Sequence, residues 1–198
     1  MKKINYLIKI ILVFAGILFS ISTMMNADLY GTLIRLSIIP LALLPNIAKK
    51  KIKITEKVEF VYLLFLFVAH FLGSIVNLYY QISWYDTFVH YLSGWVTAFL
   101  GYIIYVKGKE RSKAFEFLFI ISFSALIAIS WETFEFVCDQ LFQKDAQNVI
   151  TTGVTDTMID MIVALLGSIT VEVLAFIKNG LLSKFKREIQ EVYGKNLE

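Results

Sequence analysis

Three acids stand at helical spacing where a long apolar run ends: Glu132, Glu135 and Asp139, in the stretch Trp131-Glu-Thr-Phe-Glu-Phe-Val-Cys-Asp139. Steps of three and four residues put them on one face of a helix. Asp86 and His90 are four residues apart at the start of another apolar run, and Asp156 and Asp160 repeat that step at the start of a third. Carboxylate and imidazole arms from several helices are the usual way to build a metal site in a bundle. The same groups move protons in general acid–base chemistry. Ionisable groups in or beside hydrocarbon are costly, so they mark a site by default.

Composition sets the elements that must position these groups. Of 198 residues 58% are hydrophobic and 18% charged, with a mean hydropathy of +0.69. That is a membrane composition, and it leaves no room for a large soluble domain. The net charge of +3 does not point to nucleic acid, because the basic residues form short clusters between apolar runs and read as topology signals. A lone cysteine, Cys138, excludes an intramolecular disulfide and any multi-cysteine zinc or iron–sulfur site.

Six apolar runs follow one another. The basic start Met1 to Lys9 leads into Ile10 to Met25, which reads as a retained first span; a signal-peptide cleavage site after Ala27 would need a small residue where Met25 stands. Leu29 to Ile47 contains Arg35, and Pro40 and Pro45 are expected to kink its far half or end it. Val58 to Tyr80 carries His70, expected as a hydrogen-bonded packing residue. Asp86 to Val106 is the fourth run. Ala114 to Phe142 is the fifth, about 42 Å long as a helix and so longer than a hydrocarbon core of about 30 Å. The sixth runs from Asp156 to Ile177. Leu181, Leu182, Phe185, Ile189 and Val192 then recur at helical spacing among Lys184, Lys186 and Arg187, an amphipathic helix expected at the membrane surface. The predicted architecture is all-α: a six-span transmembrane domain over residues 1–180 and an amphipathic cytoplasmic tail over 181–198.

Six spans put both termini on one side. All basic residues but Arg35 and Lys144 fall on that side, in the clusters around Lys49, Lys50, Lys51, Lys53 and Lys57, around Lys107, Lys109, Arg111 and Lys113, and at the termini. The positive-inside rule then makes both termini cytoplasmic in a bacterial plasma membrane. Asp86, His90, Glu132, Glu135, Asp139, Asp156 and Asp160 all belong to the outer half. Four residues of helix rise about 6 Å, so His90, Glu132 and Asp160 should form an inner layer, and Glu135, Asp86, Asp156 and Asp139 a rim. Helix capping by Asp86 and Asp156 explains part of the rim but not the inner layer. Glu59, Glu116 and Glu172 lie in the other half and are expected to pair with lysines there.

At these residues the chain resembles bacterial integral membrane proteins of unassigned activity related to the YjdF-type inner-membrane proteins. The resemblance rests on Trp84-Tyr-Asp86-x-x-x-His90-x-x-x-Gly94, Trp131-Glu132-x-x-Glu135-x-x-x-Asp139 and Gly153-x-x-Asp156-Thr-Met-x-Asp160, and covers about the last four spans. It implies a polytopic membrane protein and supplies no reaction.

The chemistry expected of the cluster is that of a divalent-metal-dependent enzyme acting on a lipid-linked or phosphate-bearing substrate at the outer leaflet. Glu132, Glu135, Asp160, His90, Asp156 and Asp86 are the candidate metal ligands, with His90, Glu132 and Asp160 catalytic and Arg35 holding a phosphate. The polar connection from Gln143 to Thr155 could serve as a lid. Two other classes compete: a cation- or proton-coupled transporter or its accessory subunit, which needs a polar path to the other face through residues such as His70, Ser168 and Glu172, and a structural or partner-binding protein whose polar cluster only holds helices together.

Overall fold

The computed structural model describes residues 1–50, 53–107, 112–177 and 180–194. Lys51, Lys109 and Arg111 of the basic connections and the last four residues of the tail lie outside the described residues. The described residues are helical, with no strand among them. They form α1 (Lys2–Met25), α2 (Leu29–Ala48), α3 (Glu56–Leu66) continuing as a π-helical segment (Phe67–Ile75), α4 (Leu78–Gln81), α5 (Tyr85–Tyr105), α6 (Lys113–Phe142), α7 (Val149–Thr152), α8 (Thr155–Ala175) and α9 (Leu181–Tyr193). Six of these are long and apolar enough to cross a membrane: α1, α2, α3 with its π segment, α5, α6 and α8. The chain divides into two compact units, Met1–Val89 and a second from His90 onward.

In the first unit, α1, α2 and α3 pack around Leu12, Ala15, Ile38, Ala42 and Leu63. α2 begins where Asp28 accepts a hydrogen bond from the Gly31 N–H, and α3 where Thr55 accepts one from the Val58 N–H. α2 runs through both prolines to Ala48, so neither ends it. Pro45 deprives the Leu41 carbonyl of its usual donor one turn earlier, and the Tyr62 hydroxyl donates to that oxygen at 2.9 Å. The third span is shorter than its apolar run: Asn77, at φ 73°, takes the left-handed conformation and stops it after Ile75. Within the π segment the Nε2 of His70 lies 2.8 Å from the Ile34 carbonyl oxygen and 3.1 Å from Ser37 Oγ. A carbonyl only accepts, so Nε2 carries the proton.

In the second unit, α6 buries a single stripe, Ile120, Ser124, Ala128 and Glu132, at a repeat of four, plus Cys138. Leu118, Leu126, Ile129, Phe134 and Leu141 face outward. α8 buries Asp160, Ala164, Gly167, Ser168, Val171 and Glu172. Small and polar residues inside with large apolar ones outside is the pattern of a helix whose surroundings are lipid. α9 is amphipathic as expected, and it also makes contacts within its own unit. Ile189 and Tyr193 are both 2% exposed, Phe185 packs edge-on against Phe99 of α5, and the Tyr102 hydroxyl donates to Gln190 Oε1 at 3.1 Å. Part of its apolar face is therefore turned onto its own unit.

Candidate functional site

Two glycines bring α5 and α8 together. A Cβ on Gly94 would fall on the Ala164 carbonyl oxygen, and one on Gly167 on the Tyr91 carbonyl oxygen, so the two backbones are in contact at this crossing. His90 lies one turn before Gly94, and Asp160 one turn before Ala164. On α6 the buried stripe ends at Glu132, and Thr97 Oγ1 donates to Ser124 Oγ at 3.0 Å to tie α5 to α6.

The result is a cluster of one imidazole and two carboxylates from three helices. His90 Nε2 is 3.9 Å from Glu132 Oε1 and 4.0 Å from Asp160 Oδ2. The three residues are 6%, 5% and 3% exposed. Both separations exceed hydrogen-bonding distance, and Glu132 Oε1 has no hydrogen-bond partner among the described residues. Ligand atoms about 2.1 Å from a tetrahedral cation lie roughly 3.4 Å from one another, so His90 Nε2 stands about half an ångström beyond that spacing from each of the two carboxylates.

A second layer comes from the connection after α6. Asp139 accepts from the N–H groups of Ala146 at 2.7 Å and Gln147 at 3.1 Å. This presents the buried Gln147 amide to Glu132, donating to its carbonyl oxygen at 3.1 Å and to Oε2 at 3.4 Å. Asn148 Nδ2 donates to Asp156 Oδ2 at 2.7 Å. The connection offered by the sequence as a lid is thus pinned to α6 by Asp139 and to α8 by Asp156.

Glu135 accepts from the Trp131 indole N–H at 2.9 Å. Asp86, half-buried in the first turn of α5 one turn before His90, offers a carboxylate oxygen within 4.8 Å of ligand atoms of His90 and Asp160. Arg35, in the first unit, donates from Nη1 to the Gly31 carbonyl oxygen at 3.3 Å, beside the Asp28 carboxylate that receives the Gly31 N–H. Gln147 and Asn148 escaped sequence reasoning. Uncharged amides in a connection have no periodicity to mark them, and their only signal is that they follow an acid-rich helix end.

Glu59, Glu116 and Glu172 do pair with lysines. Glu59 meets Lys9 at 2.5 Å and Lys49 at 2.7 Å. Lys186 bridges Glu116 at 2.5 Å and Glu172 at 2.9 Å, its ammonium 4.4 Å from the centre of the Tyr102 ring.

A family model described as "Predicted membrane protein (DUF2238)" matches residues 4–180. The chain belongs to the DUF2238 family. The match takes in all six spans and the His90, Glu132 and Asp160 cluster, and stops just before α9. Neither a curated protein nor a solved structure matches the chain. DUF2238 membership, the apolar helices and their outward-facing apolar surfaces agree on a membrane protein embedded in a lipid bilayer.

Proposed function

We propose that this DUF2238 protein is a divalent-metal-dependent membrane enzyme acting on a lipid-linked or phosphate-bearing substrate. The observation that carries this is the cluster itself: His90, Glu132 and Asp160 converge from three helices at 3.9 and 4.0 Å, buried, with Glu132 Oε1 lacking a hydrogen-bond partner among the described residues. A buried carboxylate oxygen without such a partner, as on Glu132, is costly, and a cation would offset that cost. His90, Glu132 and Asp160 would hold it together with Asp86, which offers a ligand atom within 4.8 Å of those of His90 and Asp160, and Glu135 and Asp156 are further candidate ligands by their place in the sequence. A divalent cation polarises a phosphoryl or carbonyl oxygen or activates water when bound. A carboxylate or imidazole not engaged by the cation moves the proton. Arg35 enters as the phosphate-holding cation on its chemistry alone.

In the same proposal residues 1–180 form the membrane domain and 181–198 a cytoplasmic tail. The basic clusters lie in the cytoplasm of a bacterial cell, and the cluster serves the outer leaflet. The likeness of its three motifs to YjdF-type inner-membrane proteins belongs with this location. Coupled transport would need the polar route to continue through Ser168 and Glu172. Ser168 is fully buried and Glu172 is engaged by Lys186, which favours catalysis over transport.

Metal analysis of the full chain purified in detergent tests the proposal. On the order of one divalent ion per chain is expected, falling tenfold or more in Glu132→Gln and in Asp160→Asn. Wild-type protein free of divalent metal, with both variants behaving like it, would overturn it. Variants that lose stability while metal content is unchanged would indicate a structural cluster instead.

A further inference from the structure

A second polar place lies in the first unit, and the metal proposal makes no use of it. An open groove of about 750 Å³ runs along α1 and α2. Its polar end is formed by Lys2, Lys3, Asn5, Lys9, Asn46 and Lys49, with Glu59 beneath. Its other end is wholly apolar, with Val13, Phe14 and Ile17 of α1 facing Leu43 of α2. Lys9 to Ile17 spans about 12 Å of helix, most of the roughly 15 Å half-thickness of a bilayer core. The groove therefore has a cationic head and an apolar tail, on the scale of one leaflet.

The charge at the head is unbalanced. Four lysines face Glu59, and the Glu56 carboxylate accepts from the Lys2 backbone N–H at 3.1 Å, which leaves the head net positive. Lys9 and Lys49 share Glu59, and Lys9 Nζ is also 2.5 Å from Asn46 Oδ1, so this part is a built network in which Lys9 and Glu59 are buried and Asn46 and Lys49 exposed. The ammonium groups of Lys2 and Lys3 are exposed, and neither has a carboxylate partner among the described residues. Asn5 Nδ2 donates to the Glu56 carbonyl oxygen and to Glu59 Oε2, while its buried Oδ1 has no partner among the described residues. Exposed ammoniums attract a phosphate, and an amide oxygen accepts from a hydroxyl.

We propose that this groove binds an anionic phospholipid of the surrounding bilayer. Its phosphate lies among Lys2, Lys3 and the Lys9–Lys49 pair, and one acyl chain runs between Val13, Phe14, Ile17 and Leu43. A soluble phosphate would engage the head and leave the apolar end without a role. A zwitterionic lipid would fill the apolar end and carry its own cation to a place that is already basic.

The test uses the full chain in detergent, with phosphatidylglycerol or phosphatidylcholine added at equal mole fraction and unfolding followed thermally. Phosphatidylglycerol is expected to raise the melting temperature by about 5 °C, the shift a ligand well above its dissociation constant gives a chain of this size, and phosphatidylcholine by much less. Lys2→Gln with Lys3→Gln, which leaves the Lys9–Glu59 network intact, should remove at least half of the phosphatidylglycerol shift. Lys53→Gln with Lys113→Gln, equal in charge change but outside the groove, should retain it. Equal shifts from the two lipids, a full shift in the Lys2 and Lys3 variant, or the same shift from glycerol phosphate without chains would each overturn the proposal. None of these outcomes depends on metal at His90, Glu132 and Asp160.

Discussion

Gly94 is the place where a single methyl group would be felt most. Its missing Cβ is replaced by the Ala164 carbonyl oxygen, with the Ser168 backbone nitrogen also close, and backbone cannot swing aside as a side chain can. Gly94→Ala must push α5 off α8, the approach that lets His90 face Asp160. We expect a loss of about 1–3 kcal/mol, the usual range for overpacking, seen as a lower melting temperature, together with weaker metal retention. Gly101, two turns further along α5, is the contrast: a Cβ there meets Phe123 ring atoms at 3.1 Å or more, and a ring edge can shift by the few tenths required. Gly101→Ala should be neutral or stabilising, since alanine gains up to about 1 kcal/mol over glycine in a helix. Equal damage from the two substitutions would remove the α5–α8 contact as the cause. At this scale the sequence was readable where helical period carries information, so His90, Glu132 and Asp160 could be named from spacing. It was silent on Gln147 and Asn148, which reach the acids through a turn that Asp139 holds by backbone N–H groups. Turn geometry of that kind has no period.

α9 shows how an element can be read in type from its sequence while its protein contacts stay hidden. Its amphipathic period is plain in the sequence, but period alone cannot say whether the apolar face meets lipid or protein. The deciding groups lie on other helices. Glu172, 2% exposed on its side chain, and Glu116 need a cation, and Lys186 supplies it. Lys186→Met should therefore destabilise the chain by about 3–5 kcal/mol, the cost of stripping a buried ion pair of one partner. Adding Glu116→Gln and Glu172→Gln to the same chain should recover most of the loss, because a neutral amide is far cheaper to bury than a carboxylate. Denaturant or thermal unfolding of the three chains separates this from a simple loss of contact area, which the added substitutions would not restore. The proline-containing α2 is a similar case. Pro40 and Pro45 signal a break by local chemistry, yet the freed Leu41 carbonyl finds the Tyr62 hydroxyl on another helix, a partner invisible to any window of sequence around the prolines.

Across the whole molecule, polarity is sorted to the two ends of the spans. His90 and Tyr102 are about 18 Å apart along α5, as are Asp160 and Glu172 along α8. The ends differ in kind, since one joins carboxylates to an imidazole and the other joins carboxylates to lysines. Had the acids simply been spread to keep helices soluble, both ends would carry similar pairs. The asymmetry makes orientation decisive for the proposed function, because it sets which face of the bilayer the His90 cluster serves. Cysteine labelling decides it. In a background where the buried Cys138 is replaced by serine, Ile150→Cys places a thiol at a residue 85% exposed in the connection beside the cluster, and Lys53→Cys places one in a basic connection. A membrane-impermeant maleimide added to intact cells should label the first and spare the second, and permeabilised cells should give both. The opposite pattern would move the proposed substrate to the cytoplasmic leaflet while leaving the metal ligands unchanged, so the chemistry and the compartment can fail separately.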